Sequence, residues 1–586
     1  MPQQNVCDSR PWLGVSSRIN AHTPMLLLAL GVGVLAGYGS VLFRYAIDAV
    51  QVLFYQNSSD FLEFYDTLSW YAIVLPPTIG GAIVGLLTSK GAPEAKGHGV
   101  PEVMEAVALR DGVIRKRVAA VKIAASAICI GSGGSVGREG PIVQIGSSIG
   151  STLGQLLKVN RTNQRTLVGC GAAAGIAATF NAPIAGILFA LEILLGDFGF
   201  AAFSPVVLSS VTATAISRYY FGDFPAFISP VYELGSLWEL GLFPVLGVIS
   251  ALVAVLFVLT LYKMEDLADY IAIPPVLKAA LGGLCIGGIL LQFPEIMGVG
   301  YGAITLSLMD KMAWGTMLIL IFLKIFATSL TISSGGSGGI FAPSLFIGAM
   351  TGGVFGVAVH YLFPAVVPSP GIFALIAMGG LVAGTTYAPI TAILIIFELT
   401  SNYHIILPLM LTCIISTLIA SSISPGSIYT MKLLRRGVNL QGGMEQNILK
   451  KYKVKDLMQR EPDTLYEGAP LQQVFETFRQ KNAPYLHLVD KNDELTGIIS
   501  FRDLRSVFAE EYLDNLLIAK DIATTCIETV RDEDIVLEAL HRMAEFSISQ
   551  LPVVGTDGKL IGTLREQDVL AAYDQSVVGM QLKDAA

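Results

Sequence analysis

Charge is what this sequence has least of. Of its 586 residues only 14% are Asp, Glu, Lys or Arg, 53% are hydrophobic, and the mean hydropathy is +0.62. Soluble domains carry about 25% charged residues, so a wholly soluble chain is excluded. The little charge there is sums to −8, which argues against nucleic acid as a partner. Cysteine is sparse and scattered (Cys7, Cys129, Cys170, Cys285, Cys413, Cys526). No CxxC or other metal-ligand spacing occurs, so these are read as packing residues and no metal is expected. No nucleophile–base pair or cofactor loop stands out either, which leaves no basis for an enzyme. The first 22 residues are polar, and the apolar run after them lacks a small-residue cleavage site, so insertion by the first helix is expected rather than removal of a signal peptide.

What charge there is lies unevenly. Residues 441–586 hold 16 Lys+Arg and 25 Asp+Glu, against 22 and 21 in the first 440. A charge-poor body followed by an acidic tail reads as a membrane domain and then a soluble one. Long apolar segments lie around 24–43, 70–89, 238–262, 275–292, 315–333 and 404–423. Between them, 97–108, 139–156, 183–195, 340–360 and 388–400 are broken by glycine and proline, and straight crossings are not expected there. Irregular backbone at membrane depth is tolerated where it lines a cavity, so these segments should surround a pathway. Arg10 and Arg18 before the first helix, Lys90 and Lys96 after the second, and Arg435 and Arg436 after the last put both termini in the cytoplasm by the positive-inside rule.

Internal repeats organise both parts. "SVGREGP" (135–141) aligns with "SGGIFAP" (337–343) at an offset of 202, and "NAPIAGILFALEIL" (181–194) with "YAPITAILIIFELT" (387–400) at 206. The membrane body is therefore two related halves, an arrangement that places a substrate site between them. In the tail, "LHLVDKNDELTGIISFRDL" (486–504) aligns with "LPVVGTDGKLIGTLREQDV" (551–569) at an offset of 65. Each unit reads as an amphipathic helix, a strand, a polar turn, a strand and a helix, too small to complete a core alone.

Glu139 precedes Pro141 by two residues and so sits in the first turn of a helix, where free N–H groups and the dipole favour an anion. The second-half turn "GGIFAP" has no acid, and "GHGVPEV" (97–103) is a third turn of the same kind. Three such helix starts pointing into one cavity would hold a dehydrated anion. A carboxylate among them would compete for that site, blocking it when ionised and leaving it when protonated or displaced. A nucleotide loop is the poorer reading, because GxxxxGK[ST] and GxGxxG are both absent from this stretch. Glu192 and Glu398 occupy matching positions in the halves; a cation pathway would want them, but both close helices opened by Ala-Pro, which favours a shared structural role.

"GREGP" (137–141), "GGIFAP" (338–343), the GxGxPE turn at 97–102, Tyr429 in "GSIYTMK" and the two tail repeats together resemble the CLC family of chloride channels and chloride/proton exchangers, with a tail similar to a pair of CBS domains. The resemblance implies an all-α polytopic membrane domain with an inverted repeat and broken helices, then an α/β CBS pair. It also implies a homodimer in membrane lipid, with one pore per subunit passing chloride or other small inorganic anions. Glu139 would be the external gate. The amides of Ile340 and Phe341 with the Tyr429 hydroxyl would hold a central chloride ion, flanked by Gly339 and Ala342. Gly137, Arg138 and Gly140 would serve an outer site, and Gly97, His98, Gly99, Val100 and Pro101 the third turn.

Two departures carry expectations of their own. His98 stands where chloride-handling relatives carry serine and nitrate-preferring ones proline. Its ring could donate to the anion, making transport respond to pH near the ordinary histidine value of about 6.5, or could merely line the cytoplasmic vestibule. Ile193 stands where exchangers commonly carry an inner proton-relay glutamate. Passive conduction is therefore the expectation, with proton-coupled antiport as the alternative and a membrane-anchored nucleotide sensor as the alternative of another class. In the tail, Gly497, Ser500 and Asp503 fit the adenine-nucleotide pattern of CBS pairs, while the second repeat offers Asp568 with Arg565 in place of the hydroxyl. ATP, ADP or AMP could bind there; a purely structural dimerising module is the other reading. The expected domains are a cytoplasmic segment 1–23, a transport domain 24–437, a linker 438–453, CBS domains 454–515 and 516–576, and a tail 577–586, in a multi-pass protein of the cell membrane.

Overall fold

The computed structural model describes residues 23–57, 59–224, 227, 239–364, 369–438, 449, 452–481, 483–505, 517–555 and 557–573. The expected N-terminal segment through residue 22 with Cys7, Arg10 and Arg18, most of the 438–453 linker and the 577–586 tail lie outside these. The chain forms two compact units that divide between Arg436 and Gly437.

The first unit is helical. Among the described residues six helices are long and apolar enough to cross a membrane: Thr23–Tyr55, Trp70–Lys90, Glu239–Tyr270, Trp314–Ser333, Phe341–Leu362 and Tyr403–Ile423. The halves meet reciprocally, as two-fold-related surfaces must. A Cβ on Gly81 would lie 2.3 Å from the Ala279 carbonyl, and one on Gly283, 202 positions further on, would lie 2.0 Å from the Pro77 carbonyl. Only glycine lets these two helices, Trp70–Lys90 and Pro275–Leu290, come that close.

Three expectations change. Residues 340–360 are not broken but lie in one 22-residue helix, Phe341–Leu362. Its glycines serve close packing: Cβ atoms at Gly348 and Gly352 would strike the carbonyls of Ala377 and Phe373 at 2.6 and 2.0 Å. In turn the apolar stretch at 275–292 yields a helix of only 16 residues, Pro275–Leu290. Residues 139–156 likewise form an uninterrupted 18-residue helix, Glu139–Leu156.

The second unit holds two three-stranded sheets, β1 (Thr464–Tyr466), β2 (Tyr485–Val489), β3 (Leu495–Ser500) and β4 (Val530–Arg531), β5 (Gln550–Val554), β6 (Leu560–Arg565). In each sheet the first strand runs parallel to the second and the third antiparallel to it. The repeats exchange their leading segments. Val454 lies in the core of the second repeat, where Gln459 pairs with Thr563, while Ala519 lies in the core of the first, where Thr524 pairs with Ile498. Neither repeat completes its apolar core without the other, as expected for units of about 60 residues.

Candidate anion pathway

Three glycine turns are stitched together by backbone. Gly97 N–H donates to the Gly336 carbonyl (3.0 Å), and Gly137 and Gly339 exchange N–H···O bonds of 2.7 and 2.6 Å. Both bridges join one half to the other, so the helix starts Val100, Glu139 and Phe341 converge. Gly97 and Gly99 have φ of +77° and +83°, which an L-residue adopts only at a cost, and they turn the chain into the Val100–Leu109 helix with Pro101 in its first turn. Gly140 has no room for a Cβ, which would lie 2.2 Å from the His98 carbonyl, so the His98 turn sits directly on the first turn of the Glu139 helix.

The Glu139 side chain is 2% exposed, and neither carboxylate oxygen has a hydrogen-bond partner. The groups acting on it are the Arg138 guanidinium, the backbone N–H groups of Glu139 and Ala342, and the Tyr301 hydroxyl. Ile340 and Phe341 are buried beside it at the N-terminus of the second-half helix. Tyr429, also buried, caps the short helix Thr430–Arg435; its ring centroid is 5.9 Å from that of His98 and 6.4 Å from that of Phe189. Ile428 fixes the segment, donating N–H to the Thr385 carbonyl at 2.8 Å and accepting the Tyr262 hydroxyl at 2.7 Å. His98 does not line an open vestibule. Its ring is fully buried, and both nitrogens lack partners.

Two cavities flank this constellation. One of about 190 Å³ is lined by Arg44, Asp48, Glu295 and Tyr301 together with Arg138, whose guanidinium stands 5.4 Å from the Tyr301 ring centroid. The other, about 320 Å³, is lined by Lys96, Gly97, Glu265 and Lys432 among others. Arg138, next to Glu139 in the chain, lines one cavity, and Gly97, next to His98, lines the other.

Several residues escaped the sequence reading. Lys122 and Lys324, 202 positions apart, are both fully buried. Lys122 Nζ donates to the carbonyls of Ala95 (3.0 Å) and Gly97 (2.8 Å), and Lys324 Nζ to those of Ile296 (2.9 Å) and Gly298 (2.8 Å). Each lysine therefore braces a glycine turn, because Gly298 and Gly300 repeat the positive φ of Gly97 and Gly99 ahead of the helix Tyr301–Leu308. The shared offset was the available signal.

Glu192 and Glu398 cap each other's half. Glu398 accepts N–H from Ile184 (2.9 Å) and Ala185 (2.7 Å), and Glu192 accepts N–H from Ile390 (3.2 Å) and Thr391 (2.7 Å) and the Thr391 hydroxyl at 2.6 Å. Each carboxylate so answers the free donors of a helix opened by proline. Ile193 lies beside Glu192 in a π-helical turn, Ala190–Leu195.

In the tail, the Ser500 hydroxyl donates to Asp503 (2.7 Å), and Arg565 makes a two-point contact with Asp568 (2.9 and 3.1 Å). Buried polar atoms without partners remain nearby in sequence and sheet: His487 Nε2 on β2 and Thr563 Oγ1 on β6. Burial holds His487 below the ordinary histidine range, against a smaller opposing pull from Asp463.

A family model described as voltage gated chloride channel matches residues 80–421, and the CBS domain model matches 454–510 and 519–575. The chain belongs to the CLC family. It is 35% identical over 415 residues to a putative chloride channel protein of Ralstonia nicotianae, covering 70% of this chain and 97% of that one. It is equally 35% identical over 439 residues to an H+/Cl− exchange transporter of Vibrio cholerae, covering 72% and 92%. Among solved structures, a slow cyanobacterial Cl−/H+ antiporter matches with a TM-score of 0.65 at 29% identity, over 71% of this chain and 98% of that one. A eukaryotic CLC transporter covers 93% of this chain and 97% of its own at TM-score 0.62 and 18% identity, a likeness of fold. This CLC protein is thus an integral membrane anion transporter whose C-terminal unit is a CBS pair.

Proposed function

We propose that this CLC protein exchanges chloride for protons, with Glu139 as both gate and proton carrier. The observation that carries the reading is the Glu139 carboxylate, buried with unpartnered oxygens among three joined helix starts. A carboxylate in that position stands where a transported anion would, and protonation or displacement would free the place. The anion would then pass from the Arg138 cavity on the outside, by the amides of Ile340 and Phe341 and the Tyr429 hydroxyl, to the Gly97 cavity on the cytoplasmic side. Exchange is supported by the exchange transporter of Vibrio cholerae and the cyanobacterial antiporter to which the chain is similar. Passive conduction remains the second reading, favoured by apolar Ile193. Chloride is the anion we assign, in a homodimer of the cell membrane with one pathway per subunit and cytoplasmic termini.

At the CBS pair we propose that an adenine nucleotide adjusts activity. Asp503 and Asp568 would hold ribose hydroxyls, with Ser500 and Arg565 at phosphate, and the orphaned His487 and Thr563 atoms offer polar capacity for such a ligand. Chloride efflux from liposomes tests the gate. Glu139→Gln is expected to keep efflux while losing its response to pH, and an unchanged pH response would remove Glu139 from that role.

A further inference from the structure

Proton exchange needs a group on the cytoplasmic side that takes up and passes on protons, and Ile193 has none to offer. We infer that His98 is that group, loaded from the cavity that Gly97 lines. The inference rests on the exchange reading above.

His98 is the turn residue between Gly97, which lines the 320 Å³ cavity, and Gly99, which opens the helix Val100–Leu109. Its ring is fully buried, yet neither nitrogen is engaged. A buried imidazole normally finds at least one partner, so two orphaned nitrogens point to groups that arrive and leave. One edge of the pathway is immediate: the ring centroid lies 5.9 Å from that of Tyr429. The backbone beneath it is rigid, because Lys122 ties the carbonyls of Ala95 and Gly97 and the His98 carbonyl abuts Gly140. The turn that carries the ring is therefore held between Gly97, which lines the cavity, and the first turn of the Glu139 helix.

The chemistry balances without a further reagent than water. A proton relayed by water from the cavity forms an N–H bond at one ring nitrogen, and the N–H bond at the other breaks, passing its proton by water towards the Glu139 carboxylate, where an O–H bond forms. The ring is left neutral with its tautomer exchanged, ready after reorientation for another cycle. Within the cavity, Glu102 is tied to Lys432 and Arg436 and Asp266 to Arg435, whereas among the described residues Glu265 and Asp269 make no ion pair, so these two are the carboxylates placed to gather protons. The charged groups that face the ring are Lys122, Lys432 and Arg436. Glu102 on its own helix is already neutralised by the last two. An anion beside Tyr429 would offset the positive charge that these three cations place around the ring. Proton passage thus depends on the anion being present.

The test is the reversal potential of purified full-length protein in liposomes under a chloride gradient, with and without an opposing pH gradient. This quantity reads the ratio of the two ions and not the rate. The wild type is expected to shift with the pH gradient, and His98→Ser to lose that shift and follow chloride alone. His98→Gln, closer in size and with a donor and an acceptor but no exchangeable tautomers, is the paired variant and is expected to lose the shift too. Either variant retaining the wild-type shift overturns the role of His98 while leaving exchange standing. A wild type that follows chloride alone overturns exchange itself and this inference with it.

Discussion

Glu192 and Glu398 offer the sharpest structural prediction, because intramembrane carboxylates invite a cation-transport reading that their geometry opposes. Glu398 meets two backbone N–H groups at 2.9 and 2.7 Å across the boundary between the halves. Removing it by Glu398→Ala strands both donors and removes a negative charge from a helix N-terminus. Hydrogen bonds to a charged acceptor contribute about 1.5–3 kcal/mol each, about 3–6 kcal/mol for the two, and the partial exposure of this cap reduces that to ~2–4 kcal/mol. Glu398→Gln keeps one acceptor oxygen and loses the charge, at ~1–2 kcal/mol. Glu192→Ala is expected to cost at least as much as Glu398→Ala, since the Thr391 hydroxyl is stranded as well. The assay is the temperature at which the folded peak is lost on size exclusion in detergent. The order predicted is wild type, then Gln, then Ala, with the Ala variants lower by several degrees. Selectivity should not move: none of the variants should gain sodium or potassium conductance or lose chloride transport once folded. Equal melting of Glu398→Gln, Glu398→Ala and wild type, or a change in cation permeability, would refute the capping account.

Further outcomes follow from the buried lysines and the tail. Lys324→Met leaves the Ile296 and Gly298 carbonyls without donors, a loss of ~2–4 kcal/mol that should appear as a lower melting temperature and weaker chloride binding by calorimetry. Unaltered values would mean that the turn holds itself. His487 is kept neutral by burial, so the unfolded chain binds a proton that the folded one refuses once pH falls below the unfolded value of 6.5. Stability of the CBS unit is accordingly full above that pH and declines below it, and His487→Gln should flatten the slope of melting temperature against pH. Glu533 is held down to about 2 by Lys453 and Lys455. Its side-chain NMR titration should therefore fall well below that of an ordinary glutamate, and Lys455→Gln should raise it.

The parts of this architecture written in glycine and proline were legible in advance. GREGP, GGIFAP and GHGVP announce helix starts because proline and glycine restrict backbone in ways that need no tertiary context, and their repetition disclosed the two halves. Glycine inside a helix is different. The residues at 348 and 352 read as breaks, yet they are points where the carbonyls of Ala377 and Phe373 press in, a fact that belongs to the neighbouring helix. Cross-capping by Glu192 and Glu398 was equally hidden, since sequence alignment pairs each carboxylate with its equivalent and not with the helix it serves. Lys122 and Lys324 had a signal in their shared offset, but a lone lysine in an apolar run gives no hint that its partners are two carbonyls some 25 residues upstream. In the tail, the leading strands escaped because Thr464–Tyr466 has three residues and Val530–Arg531 two, too few for any alternation to register.

The central claim is that protons and chloride meet at Glu139. It is tested most directly by comparing the reversal potentials of wild type and Glu139→Gln in liposomes with a fixed chloride gradient and an opposing pH gradient. The account predicts that the wild-type value moves with the pH gradient and the Glu139→Gln value follows chloride alone. A Glu139→Gln value that still moves with the pH gradient would contradict it.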